Sequence, residues 1–292
     1  MPVLAVLSGG KIDGKVIAQS VRLEVKEAVD ALKREGILPC LATILVGDDP
    51  ASATYVRNKH KACQEAGIAT DDHRLSASIT QEELGRLVDS LNCNDRVHGI
   101  LVQLPLPDHL DSFEIISKML PSKDVDGLTP SSAGLLSMGR APFAACTPSG
   151  IMRMLDYHNV DLRGRHVVVI NRSNLIGRPL YHMLLARDAT VTTCHSKTKD
   201  LARHTRLADV IVTAVGNRAK FLLTRDMIKD GAVIIDVAIT RHEGRLAGDA
   251  DYEDVIQKAS LVTPVPGGVG PMTVAMLLRN TVAAAELARA GR

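Results

Sequence analysis

His166-Val-Val-Val-Ile-Asn-Arg-Ser-Asn-Leu-Ile-Gly177 decides the fold of this chain. Four consecutive β-branched residues, Val167 to Ile170, read as a strand buried on both faces. The polar run that follows ends the strand, and a helix is expected from Gly177 through Ala186. Thr190–Thr193, Asp209–Val215 and Ala232–Asp236 read as further strands, with Leu261-Val262 as a candidate fifth. Strand, turn, helix, strand at this spacing is a doubly wound nucleotide-binding pattern. The turn itself is not G-x-G-x-x-G. Asn171 tolerates the left-handed conformation that the first glycine of that fingerprint supplies. Ser173 is small enough for close backbone approach, Gly177 lets the helix pack tightly on the strand, and the helix N-terminus then faces a phosphate. A plain structural connection would use the same elements, so the turn alone leaves both readings open.

The end of the second strand sharpens the choice. Folds specific for NAD place Asp or Glu there to hold the ribose 2′-hydroxyl. Here the chain reads Cys194-His-Ser-Lys-Thr198, with no carboxylate until Asp200. Arg172, Ser196 and Lys197 offer cations and a hydroxyl to a 2′-phosphate, which favours NADP over NAD; a solvated strand end would leave that preference open.

Upstream the same alternation continues. Asp13 can cap a long helix ending near Gly36, with Ile17, Val21, Val25, Ala28 and Leu32 in period. Cys40–Val46 and Val97–Gln103 read as strands, His73–Leu75 as a short one, and Thr80 with Glu83 as a capping box for a helix reaching about Leu91. The expected class is therefore α/β, with parallel sheets and helices on their faces. Between the first two strands Asp49-Pro50 opens a helix ending at Gly67. On it Ala51, Tyr55, Lys59, Ala62 and Ala66 share one face, while Arg57, Lys61 and Gln64 point to solvent. A lysine on a small, apolar face is partly desolvated and loses its proton more easily, which suits general-base work. A lysine that snorkels to water is the bland alternative. Gln103 closes its strand at the edge where open α/β sheets collect ligands, and its amide could orient Lys59 or a substrate. Asp124 and Asp126 follow in a loop, available to an amino-pyrimidine edge or a cation. Pro264–Pro271 is dense in Gly and Pro, fixing one backbone path and exposing amides.

Composition narrows the function classes. Aromatic residues make up 2% with no Trp, which argues against stacking platforms for single-stranded nucleic acid. Net charge is +2 with both signs interspersed, so neither nucleic acid nor an anionic membrane is indicated as partner. The five cysteines are scattered without C-x-x-C, and the histidines lack metal-ligand spacing; free thiols, a cytoplasmic setting and no metal are expected. The apolar start, Met1 to Gly10, has no basic n-region, and Val274–Ala290 carries charges, so neither a signal peptide nor a membrane span is expected.

Val46-Gly-Asp-Asp-Pro-Ala-Ser-Ala-Thr-Tyr-Val-Arg-Asn-Lys59, Gly99-Ile-Leu-Val-Gln-Leu-Pro-Leu-Pro107, Lys123-Asp-Val-Asp-Gly127, Arg172-Ser-Asn-Leu-Ile-Gly-Arg-Pro179 and Thr263-Pro-Val-Pro-Gly-Gly-Val-Gly-Pro-Met-Thr273 together resemble the methylenetetrahydrofolate dehydrogenase/methenyltetrahydrofolate cyclohydrolase family, in order and over nearly the whole chain. The resemblance implies an N-terminal α/β catalytic lobe, residues 1–148 completed by a C-terminal helix over 271–292. It implies a Rossmann-like NADP-binding lobe over 149–270, with the active-site cleft between the lobes. It also implies a homodimeric, bifunctional enzyme of one-carbon metabolism. Such an enzyme oxidises 5,10-methylenetetrahydrofolate with NADP and hydrolyses the methenyl product to 10-formyltetrahydrofolate. By the same likeness Lys59 is the catalytic lysine, Tyr55 packs on the folate, Gln103 supports the lysine, and Asp126 holds the pterin. Val102 and Leu104 flank Gln103 on the folate side, which Pro266, Gly267, Gly268, Val269 and Gly270 also line. Asn171, Arg172, Ser173, Gly177, Ser196 and Ile239 match the cofactor site. The family usually has Gly at Asn171 and at Ala238, both on the cofactor side. The rival readings are another two-domain NADP dehydrogenase, acting on a small hydroxy or amino acid, and a non-catalytic NADP-sensing module.

Overall fold

The computed structural model describes residues 10–290, apart from the side chain of Ala51. The apolar start before Gly10 and the last two positions of the expected C-terminal helix lie outside the described residues. In chain order the elements begin β1 (Gly10–Lys11), α1 (Gly14–Arg34), β2 (Cys40–Val46), α2 (Pro50–Ala66), β3 (Ala69–Leu75), α3 (Gln81–Cys93) and β4 (Gly99–Val102). Next come α4 (Ser112–Ser117), α5 (Pro130–Ser137), α6 (Cys146–Tyr157), β5 (His166–Ile170), α7 (Gly177–Leu185), β6 (Thr190–Cys194) and α8 (Leu201–Thr205). The chain ends with β7 (Val210–Thr213), β8 (Val233–Asp236), β9 (Thr240–His242), β10 (Arg245–Ala247), α9 (Tyr252–Val255), β11 (Leu261–Val262) and α10 (Val269–Ala290).

Contacts divide these elements into two units. The first holds residues 19–146 and 274–290, and the second holds 10–18 and 147–273. The lobe boundaries implied by the resemblance place residues 10–18 with the first unit. They cluster with the second because β1 pairs in parallel with β11, Gly10 opposite Leu261, and Ile12 N–H donates to the Val262 carbonyl at 2.8 Å. A two-residue strand carries no periodicity to read.

The first unit is built on a three-stranded parallel sheet in the order β3-β2-β4. Ala42, Ile44 and Val46 of β2 pack with Ile100 and Val102 of β4 against Leu84, Val88 and Leu91 of α3. Helix ends follow their local caps. Asp49 accepts the Ser52 N–H at 2.7 Å, with Pro50 in the first turn, and Gly67 closes α2 in the left-handed region at φ +77°. Thr80 and Glu83 form the expected reciprocal cap of α3. β3 runs four residues longer at its start than its expected span, because its charged side chains alternate along a half-exposed edge strand and conceal the apolar signal.

The second unit carries a six-stranded parallel sheet in the order β1-β11-β8-β7-β5-β6. Counting from β5, this is the doubly wound order 2-1-3-4-5 with β1 added at the edge. The strand order reverses between β5 and β7, so the topological switch point falls between their C-terminal ends. α10 starts at Val269, two residues before the expected 271. Pro271 fits there because the N–H groups of a first helical turn have no intrahelical partner to lose. Among the described residues, no helix is long and apolar enough to cross a membrane.

Candidate active site

In the first unit, α2 and the end of β4 bring Lys59 to Gln103. The Gln103 N–H donates to the Ile44 carbonyl at 2.9 Å, extending the β2–β4 ladder and aiming the side chain. Lys59 Nζ donates to Gln103 Oε1 at 3.1 Å, and Gln103 Nε2 donates to the Leu104 carbonyl at 2.7 Å. The amide is thus held with its oxygen towards the ammonium. Val56, Ala62, Cys63 and Ala66 of α2 are buried, and Lys59 is half-buried among them. The shared face expected for α2 holds through its C-terminal half. Tyr55, one turn earlier, is 53% exposed, so the cover over that face ends there.

The two loop carboxylates after β4 have different fates. Asp124 is fully buried and accepts the Leu128 and Thr129 N–H groups at 3.0 and 2.7 Å. It is spent on folding its own loop and is not free for a ligand or a cation. Asp126 is half-buried; burial pushes its carboxyl above the usual range, opposed by the charge of Lys59 and a hydrogen bond with the Cys146 thiol, while Asp124 adds to the push. Cys146 was not singled out from sequence. Burial raises its thiol well above the ordinary value, and Sγ donates to the Val125 carbonyl at 3.4 Å. Asn280 of α10 ties the same loop down, Nδ2 donating to the carbonyls of Val125 and Ala144 at 2.8 and 2.9 Å.

In the second unit the turn after β5 is organised by a side chain. Asn171 is not among the residues with positive φ, contrary to the left-handed conformation expected of it. Its Oδ1 accepts the Ser173 N–H, the Ser173 hydroxyl and the Gly177 N–H at 2.8, 2.8 and 3.0 Å, while Nδ2 donates to the Ala214 carbonyl at 2.7 Å. The turn is held by the hydrogen bonds of the Asn171 amide and not by a left-handed backbone at this position. Ile170 and Cys194 are paired in register, so Arg172 and Ser196 leave neighbouring strands at one sheet edge, each two residues past the pair. Arg172, Ser196 and Lys197 are exposed there. Asp200, the next carboxylate, is engaged as the N-cap of α8, accepting the Arg203 N–H at 3.3 Å. The donor set of two cations and a hydroxyl therefore fits a 2′-phosphate. Ile239 lines a cavity of about 200 Å³ together with Pro266, Gly267, Gly268, Val269 and Gly270. No group of His, Cys, Asp and Glu suited to hold a metal occurs among the described residues.

Asp236, at the end of β8 and on the same cavity, escaped the sequence reading, although a carboxylate at the C-terminal edge of a buried strand was the available signal. It accepts the Ala238, Asp249 and Ala250 N–H groups at 3.2, 3.1 and 2.7 Å. Burial pushes its carboxyl up to about 7 from an ordinary 3.8, against the pull of those amides, and nearby Asp249 adds to the push. Between those two values the folded chain holds a proton that the unfolded chain has lost. The stability due to this group therefore falls as pH rises through that window. Asp236→Asn should gain stability relative to the parent on going from about pH 4.5 to about pH 8, as read by urea unfolding. A difference that stays flat with pH would refute this.

Comparison with known proteins agrees with both units. The model of the tetrahydrofolate dehydrogenase/cyclohydrolase catalytic domain matches residues 12–126, and that of the family's NAD(P)-binding domain matches residues 145–289. The bifunctional protein FolD of Nitrosopumilus maritimus is 64% identical, over 96% of this chain and 98% of its own. The crystal structure of the bifunctional FolD methylenetetrahydrofolate dehydrogenase/cyclohydrolase from Campylobacter jejuni superposes with a TM-score of 0.92 at 49% identity, covering 94% of this chain and 98% of that one. The Trypanosoma brucei methylenetetrahydrofolate dehydrogenase-cyclohydrolase, complexed with NADP cofactor and inhibitor, gives 0.89 at 38% identity over 100% of both chains. With matches of this depth across both units, the chain belongs to the tetrahydrofolate dehydrogenase/cyclohydrolase family.

Proposed function

We infer that this protein is a bifunctional enzyme of one-carbon metabolism. It oxidises 5,10-methylenetetrahydrofolate with NADP and hydrolyses the resulting methenyl compound to 10-formyltetrahydrofolate. The observation that carries the reading is the Lys59–Gln103 hydrogen bond beside Asp126, in a chain that matches both domains of the family. NADP, when bound, takes up the hydride. Arg172, Ser196 and Lys197 would hold its 2′-phosphate, Asn171, Ser173 and Gly177 would shape the turn for its pyrophosphate, and Ile239 would lie on the nicotinamide side.

The hydrolytic step needs water to add to the cationic methenyl carbon and lose a proton. The carbon–nitrogen bond to N5 then breaks as the new hydroxyl gives up its proton and N5 takes one up, leaving the formyl group on N10. Lys59 Nζ, oriented by Gln103, handles these protons. Asp126 accepts N–H groups from the amino-pyrimidine edge of the pterin. Tyr55 packs on the folate, and Val102 and Leu104 flank Gln103 on the same side.

Absorbance at the nicotinamide band with methylenetetrahydrofolate and each cofactor tests the first activity, and decay of methenyl absorbance tests the second. Reduction of NADP well ahead of NAD, with hydrolysis by the same purified chain, is expected; no turnover in either assay sinks the reading. Gln103→Ala leaves Lys59 without its partner. Its kcat for methenyl hydrolysis should fall roughly 10- to 100-fold, at the low end of acid–base contributions, with little change in Tm. Parent-like hydrolysis would mean that Gln103 does not orient the lysine.

The enzyme works in the cytoplasm, in keeping with its five free cysteines, and as a homodimer. The free edge of β3, paired on one side only among the described residues, is a surface on which a second copy could add. Light scattering should give twice the 31.3 kDa chain mass at micromolar concentration, and a single-chain mass would refute the dimer.

A further inference from the structure

A chain of side chains runs through the second unit behind the cofactor turn. It starts at Asp249, fully buried, whose carboxylate accepts the Thr213 hydroxyl, the Val215 N–H and the Gly216 N–H at 2.8, 2.6 and 3.0 Å. Those three donors surround Ala214. The Ala214 carbonyl is the acceptor for Asn171 Nδ2, and the other end of that amide gathers the Ser173 and Gly177 donors of the 171–177 turn. Asp249 is itself held from two sides. Its own N–H donates to Asp236 Oδ1 at 3.1 Å, and Arg218 Nη1 spans its neighbours, donating to the Gly248 and Ala250 carbonyls at 2.8 and 3.0 Å. The link crosses from β7 to β5, the point at which the strand order reverses. It exists because residue 171 is Asn; a glycine has no side chain to reach Ala214.

We propose that Asp249 is a positioning residue for NADP: it sets the 213–216 turn, through which Asn171 holds the phosphate-facing turn in its binding shape. This rests on the NADP reading above. A loosely held Ala214 carbonyl would let the Asn171 amide rotate and release the Ser173 and Gly177 N–H groups from their places. The cost would then fall on cofactor binding. Hydrolysis, whose proton-handling pair Lys59 and Gln103 belongs with Asp126 to the first unit, would be spared.

The test is a double-mutant cycle with KM for NADP as the readout. Asp249→Asn, which puts an NH2 group against one of the three donors, should raise that KM about tenfold, with methenyl hydrolysis within twofold of the parent. Asn171→Gly should raise KM by a similar factor. The double variant should be little worse than either single one, because both break the same link. Thr213→Val removes one hydroxyl alone and should give about a threefold rise; it replaces Asp249→Asn in the cycle if that variant does not fold. An unchanged KM in Asp249→Asn, effects that multiply, or an equal loss of both activities would each overturn the proposal. Failure of the NADP reading itself would show separately, as a parent enzyme that reduces no NADP.

Discussion

Lys59→Met lowers the rate of methenyl hydrolysis by roughly 10²- to 10⁴-fold, the span typical of a lost acid–base group, while NADP affinity stays at the parent value. Methionine keeps the length and apolar stem of lysine and removes the nitrogen. The Lys59 nitrogen is the atom hydrogen-bonded to Gln103 Oε1, and its charge opposes the rise in the Asp126 carboxyl pKa. Its loss therefore removes the proton carrier and lets Asp126 drift further towards the neutral acid. The residues assigned to NADP belong to the second unit, so cofactor titration of the variant reports on folding independently of chemistry. Lys59→Arg sharpens the experiment. Arginine stays charged throughout the working pH range, so it restores a cation but not a group that can give up a proton. If Lys59 relays protons, Arg should rescue little. Hydrolysis at the parent rate in Lys59→Met would remove the residue from the mechanism.

Gly177→Ala, the addition of one methyl group, weakens NADP binding by about 10- to 100-fold and lowers Tm. A Cβ at this position would lie 2.1 Å from the Asn171 carbonyl oxygen, 2.5 Å from its carbon and 2.8 Å from the Arg172 nitrogen. All three are backbone atoms, so no side chain can swing aside. Either α7 lifts off β5 or the 171–177 turn opens, and both displace the Gly177 N–H from Asn171 Oδ1. Overpacking of this kind costs about 1–3 kcal/mol, and about 1.4 kcal/mol is a factor of ten in affinity. Calorimetric titration with NADP and a thermal melt read the two effects. Parent affinity in the folded variant would show that the tight turn is structural only.

Much of this was legible in local sequence. The β-branched run before Asn171, the caps at Asp13, Asp49 and Thr80, and the left-handed stop at Gly67 each depend on residues within a turn or two, and each stands where the pattern put it. The pairing of Lys59 with Gln103 was legible for a related reason: one lies on the helix that follows β2 and the other on the end of the strand beside β2, and parallel α/β connections bring such positions together.

Tertiary structure decided the rest. Asp124 and Asp126 look alike in sequence, yet one is buried against the backbone of its own loop and the other stands beside Lys59. Asparagine tolerates positive φ, but Asn171 acts through its side chain, because the Ala214 carbonyl just past β7 lies within reach. Asp236 and Asp249 carry no motif; they matter because three backbone segments converge on two buried carboxylates. Residues 10–18 join the second unit because a two-residue strand found an open sheet edge some 250 positions away. The sequence by itself determined the longer helices and central strands and the caps of α1, α2 and α3, since those follow from periodicity and near-neighbour hydrogen bonds. Which polar group is spent on the fold and which is left for a ligand depends on burial and on partners distant along the chain, and only the assembled sheets supply both.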